Sequence, residues 1–134
     1  MNRLGLAICF ALALVWTFGC SGRPGPPPTA DVKGTINMDG KPLPTGELHF
    51  SVHGSPPSVL KVKDGTFAGQ APVGQNKVEL FIFVDAPPNP KYKGGDAIAK
   101  INTAPGKYWG PNTALDAAVS ATSANDFKFN VSSR

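Results

Sequence analysis

Several short segments between residue 31 and residue 131 alternate polar and apolar residues with a period of two, and Asp-Gly pairs separate some of them. Successive side chains of a strand point to opposite faces, so this pattern describes half-buried β-strands joined by tight turns. In Glu47 to His53, Leu48, Phe50 and Val52 fall on one face, and Glu47, His49, Ser51 and His53 on the other. In the same way Val32, Ile36 and Met38 share a face, Leu60 and Val62 face inward while Lys61 and Lys63 face outward, and Phe127, Phe129 and Val131 close the series. Asp39-Gly40 and Asp64-Gly65 are hairpin signals, and Ala124-Asn125-Asp126 is a turn before the last strand. No helix-period run reaches three turns. The expected fold is all-β, with several short strands at the spacing of a sandwich.

One strand departs from simple alternation. In Lys77 to Val84, Val78, Leu80, Ile82 and Val84 fill one face, while Phe81 and Phe83 fill the other. Apolar residues on both faces imply a central strand covered on both sides. The cover expected for Phe81 and Phe83 is the segment from Asp85 to Asn112, which carries several prolines and glycines and no sustained period. Segments of this length without regular structure are commonly functional or packed as Ω-loops. This one gathers Tyr92, Tyr108 and Trp109 among Lys91, Lys93, Lys100 and Lys107. Aromatics beside cations on a loop suit stacking on sugar rings or anchoring a protein partner. The competing reading makes Trp109 or Tyr108 a lid over Phe81 and Phe83. For Trp109 the lid is the expectation, and Tyr92, held between Pro90 and the polar Lys91 and Lys93, is the better surface candidate.

The first thirty residues carry an address. Arg3 precedes an apolar run from Leu4 to Trp16, the length of an export signal and short for a membrane span. The run ends at Thr17-Phe18-Gly19-Cys20, which resembles the lipobox of bacterial lipoproteins, with Thr17 and Phe18 in place of its usual Leu and small residue. The expectation is a signal peptide at 1–19 and a diacylglycerol, palmitate-type anchor on Cys20. A Pro/Gly-rich flexible tether then runs from 20 to 30, with one folded domain at 31–134. The only other cysteine, Cys9, lies in the signal, so the exported chain has no internal disulfide to rely on. Loss of Arg3 with the signal takes the formal charge from +4 to +3, and the lysines are scattered. That pattern is a solvated surface rather than a nucleic-acid footprint, and no nucleic-acid partner is expected.

Residue chemistry points away from catalysis. The chain has two histidines, His49 and His53. Four positions apart on a strand, their Cα atoms lie about 13 Å apart on one face, too far to close on one metal ion. No Gly-x-Ser-x-Gly elbow occurs, and the proposed lipid site leaves no thiol for a Cys-His pair. The aspartates are isolated and stand mostly at turns. Neither metal, cofactor nor catalytic residue is expected.

Three stretches together resemble a known family. Val32-Lys33-Gly34-Thr35-Ile36 with Asp39-Gly40-Lys41-Pro42-Leu43 is similar to the start of carboxypeptidase-regulatory-like domains. Asp64-Gly65-x-Phe67 and Pro72-x-Gly74 resemble their middle, with Asn76 where an aromatic is usual. Ala104-Pro105-Gly106-Lys107-Tyr108, the Ala117 to Ala121 strand and Asn125-Asp126-Phe127 are similar to the ending found in small planctomycete-type lipoproteins. The resemblance spans residues 31 to 132. It implies a seven-stranded, transthyretin-like (prealbumin-like) Greek-key sandwich that does no chemistry of its own. The Tyr-Arg-Gly-Ser-type tail of the transthyretin-like purine-pathway hydrolases is not matched by Val131-Ser132-Ser133-Arg134. The function expected is a non-catalytic lipoprotein at the cell envelope, on its periplasmic or outer-membrane face. Held to a membrane by its lipid, it binds or organises an envelope protein, a wall polymer or a glycan. The alternative is an accessory or substrate-recruiting subunit for an envelope enzyme encoded elsewhere.

Overall fold

The computed structural model describes residues 25–87 and 99–134. Within them the chain forms β1 (Thr29–Met38), β2 (Lys41–Pro42), β3 (Thr45–Ser51), β4 (Ser58–Lys63), β5 (Thr66–Pro72), β6 (Gly74–Phe81), β7 (Phe83–Asp85), β8 (Lys100–Asn102), β9 (Leu115–Val119) and β10 (Asn125–Val131). One 3₁₀ turn, Gly106–Tyr108, is the helical element among the described residues. The protein is all-β, as the alternation implies. Asp39 and Gly40 have φ of 52° and 79°, and Asp64 and Gly65 have 51° and 74°. Consecutive left-handed residues of this kind make two-residue hairpin turns whose twist matches the strands they join.

Seven strands run in the order β10-β1-β5-β4-β3-β6-β9, and β2 pairs with β1. Neighbours are antiparallel except β1 and β10, which run parallel from Val32 beside Asn125 to Met38 beside Val131. The β4–β5 ladder holds only two residue pairs, Val62 with Phe67 and Lys63 with Thr66, next to their turn. Beyond it the sheet curls, and strands from both halves enclose one core. Ile36, Leu48, Phe50, Val78 and Leu80 are wholly buried there. The Phe50 ring centroid lies 6.1, 6.3 and 6.4 Å from those of Phe67, Phe127 and Phe129. Full burial of each large apolar side chain contributes about 1.5–3 kcal/mol, and tilted ring pairs add to it.

Buried polar side chains close the gaps that strands leave. Asn76, fully buried, donates through Nδ2 to the carbonyls of Pro72 (2.7 Å) and Gly74 (3.0 Å) and so holds the β5–β6 bend. An amide thus serves where the resemblance implies an aromatic. Asn125 donates to the carbonyls of Asp31 and Ser120 and accepts from the Ser120 amide at 2.7 Å, tying the ends of β1, β9 and β10. The Thr113 hydroxyl donates to the Val78 carbonyl at 2.6 Å and sets β9 against β6.

Three expectations are corrected. The chain enters its first strand at Thr29, which pairs with Pro72, two residues before the expected start of the domain. The strand expected over Lys77 to Val84 stops at Phe81. The Ile82 amide leaves the ladder and donates to Asn102 Oδ1 at 2.9 Å, while the Ile82 carbonyl accepts from the Thr103 amide at 2.8 Å. The backbone bends there, and Val84 emerges 40% exposed instead of facing the core. The segment after Asp85 is not wholly irregular: β7 and β8 pair antiparallel, Phe83 with Asn102 and Asp85 with Lys100, and the 3₁₀ turn follows.

Candidate functional site

Pairing directions give the sheet two ends. At one end lie the start of β1, the end of β5 and the start of β6, where Thr29 pairs with Pro72 and Gly74 with Val119. At the other end lie the Asp39-Gly40 and Asp64-Gly65 turns, the start of β3 and the end of β6, from which the β7–β8 hairpin departs.

At this second end, beside the hairpin, is an open groove of about 610 Å³. Its floor is the start of β3 and the end of β4, and Phe83 and Lys100 line it from the hairpin. Alternation puts Glu47, His49 and Phe81 on the outer face of β3 and β6. The His49 and Phe81 rings lie 4.4 Å apart, and Phe83 stacks on Phe81 at 5.8 Å with planes 12° from parallel. The result is an aromatic strip that runs from the sheet into the groove, with Phe83 41% exposed at its end. Lys61, Lys63 and Lys100 surround it, with the carboxylates of Glu47 and Asp64 among them. Lys61 is the cross-strand partner of Glu47. The close contact of the Glu47 carboxylate, however, is to His49 Nε2 at 3.4 Å. Lys61, Lys63 and Lys100 make no ion pair among the described residues.

The residues expected to form a binding loop are divided. Cys20, Lys91, Tyr92 and Lys93 lie outside the described residues. Tyr108 is 7% exposed, and its hydroxyl accepts from the Ser132 amide at 2.9 Å, so it fastens the 3₁₀ turn to the end of β10. Lys107 lies with Nζ 5.0 Å from the centre of the Tyr108 ring and donates to the Arg134 carbonyl. Trp109 does not form the expected lid. It is 44% exposed, with its indole N–H held by the Ala104 carbonyl at 3.0 Å, and Phe81 is packed by His49 and Phe83 instead. The adjacent Gly110 amide donates to Glu79 Oε1 at 2.6 Å and anchors the turn on the outer face of β6.

Of the groove residues, reading along the chain singles out Lys100 but misses Phe83, Lys61 and Lys63, because Phe83 counts there as an apolar residue awaiting cover. The signal that marks it is the doubled apolar pattern at the end of a strand, followed by a residue run unable to continue it. Among the described residues no three His, Cys, Asp or Glu side chains gather into a metal site. Nor does any hydroxyl or thiol there hydrogen-bond His49. Comparison of the chain with family models, with curated proteins and with solved structures found no match.

Proposed function

We propose that this chain is a non-catalytic binding module of the bacterial cell envelope, exported, lipidated on Cys20 and displayed on a short Pro/Gly-rich tether. In this reading β10, β1 and β5 form one layer of a Greek-key sandwich and β4, β3, β6 and β9 the other, joined through the two-pair β4–β5 ladder. One observation carries the proposal. The chain enters the fold at the start of β1, and the groove with its exposed Phe83 lies at the opposite end of the strands. A domain anchored through its N-terminal segment therefore turns the groove away from the membrane, toward wall material or other envelope components. The Val84–Ile101 pair on the hairpin, 40% and 47% exposed, favours a second reading in which the module docks on an envelope enzyme as its accessory subunit.

The anchor is tested by expression in a host with lipoprotein processing and intact-mass measurement of the membrane-extracted protein. The expected product begins at Cys20 and carries diacylglycerol, and Cys20→Ala moves the protein out of the membrane fraction. A lipid-free product, or unchanged membrane retention of the variant, overturns the proposal.

A further inference from the structure

The geometry points to the groove beside the β7–β8 hairpin as a site for an acidic polysaccharide, with a sugar ring on Phe83 and its carboxylates held by Lys61, Lys63 and Lys100. The inference rests on the reading of the protein as an envelope binding module and names the ligand class of its groove. One face of the Phe83 ring rests against Phe81, which His49 backs in turn, so the platform is held in place before any ligand arrives. A rigid platform loses little freedom on binding, and the ring remains 41% exposed at the groove. Aromatic faces offer apolar area to the C–H face of a sugar, while lysines supply point charges for carboxylates. The three lysines line the same groove as Phe83 and make no ion pair among the described residues.

The mixed charge of the groove decides between ligand classes. Glu47 and Asp64 line it with the lysines. Carboxylates accept hydrogen bonds from hydroxyls, which a polysaccharide carries on every ring. A single-stranded DNA shares the stacking and the negative charge but carries no sugar hydroxyls along its backbone to donate to Glu47 and Asp64, so it fits less well.

Isothermal titration calorimetry of the purified protein in detergent tests this, with polygalacturonate as the probe. Its fully methyl-esterified form is the uncharged control, and an oligothymidylate is the competing class. Saturable binding to polygalacturonate is expected, weakening as salt is raised. A loss of roughly ten-fold or more is expected for Phe83→Ala, for Lys61→Gln with Lys63→Gln, and for the esterified polymer. Lys100→Gln, on the hairpin, should weaken binding as well. Circular dichroism of each variant should match the parent, because all four side chains project from the outer surface. Three results overturn the inference: no saturable binding, undiminished binding by Phe83→Ala, or tighter binding of oligothymidylate. Lipidation of Cys20 does not enter the titration, so an anchored protein that fails to bind loses this inference alone. A polygalacturonate binder without lipid loses the anchored reading alone.

Discussion

Phe83 stacks on Phe81 at 5.8 Å although the two rings belong to strands of different sheets. The bend at Ile82 separates the ladders, and the alternation of side chains keeps both rings on one side. The pair therefore splices the hairpin to the main sheet. The rings differ in burial, Phe81 being half-buried and Phe83 exposed. Phe81→Ala should cost about 1–2 kcal/mol and Phe83→Ala less than about 1 kcal/mol, below the range for fully buried aromatics. His49→Ala removes the backing ring and is expected to cost about 1 kcal/mol, more than a fully exposed strand position would. Phe50→Ala, at the centre of the core, should cost about 3–5 kcal/mol. Urea midpoints of the four variants give the order, and equal losses would contradict it.

Tyr108 and Trp109 are neighbours with opposite roles. Tyr108→Ala should destabilise by about 3–5 kcal/mol, because it opens the seam at the end of β10. Tyr108→Phe should cost about 1 kcal/mol by leaving the Ser132 amide without its acceptor. Trp109→Ala removes an exposed indole and one hydrogen bond, so about 1 kcal/mol is expected. For a domain of about 100 residues each kcal/mol moves the melting midpoint by roughly 4–8 °C, so thermal melts separate Tyr108→Ala from the two milder variants.

Gly34 is where backbones approach most closely. A Cβ built there would lie 2.0 Å from the Phe127 carbonyl oxygen and 2.7 Å from Phe67 Cζ. The parallel β1–β10 pairing tolerates only a hydrogen at this position. Gly34→Ala should cost about 3 kcal/mol or more, the upper end of overpacking penalties. Gly106→Ala, with no atom within 4 Å of the added methyl, should change stability by less than about 0.5 kcal/mol. Chemical denaturation of both variants checks the contrast.

Asp39 is held below its ordinary pKa of 3.8, first by hydrogen bonding from the Ser133 side chain and then by the Ser133 amide. The amide donates to Asp39 Oδ1 at 3.1 Å. A carboxyl lowered in the folded state contributes stability that is fully present above its unfolded value and is lost as pH falls through its folded value. Carbon-13 NMR titration should therefore place the Asp39 midpoint below 3.8. Ser133→Ala should move it upward, and an unmoved midpoint would remove the side chain as the cause.

Strand positions, inward faces and hairpin turns were legible along the chain because they depend on local rules. Alternation assigns faces within a strand, and Asp-Gly is among the few pairs that accept two consecutive left-handed residues. Leu48, Phe50, Leu60, Val62, Val78, Leu80 and Phe129 are buried as that pattern implies. The end of the sixth strand was not legible. Ile82 and Val84 carry the same apolar signal as Val78 and Leu80, and only the Asn102 side chain, twenty residues away, withdraws the Ile82 amide from the ladder. The fate of Trp109 was likewise hidden. Burial of an aromatic depends on what already covers the surface it would shield, and Phe81 takes its cover from His49 and Phe83. The groove belongs wholly to tertiary structure: Lys61, Phe83 and Lys100 meet because three strands and a bend bring them to one end of the sheet. Local periodicity reports which way a side chain points, whereas a site needs residues distant in sequence to converge, and only the folded pairing of strands decides that.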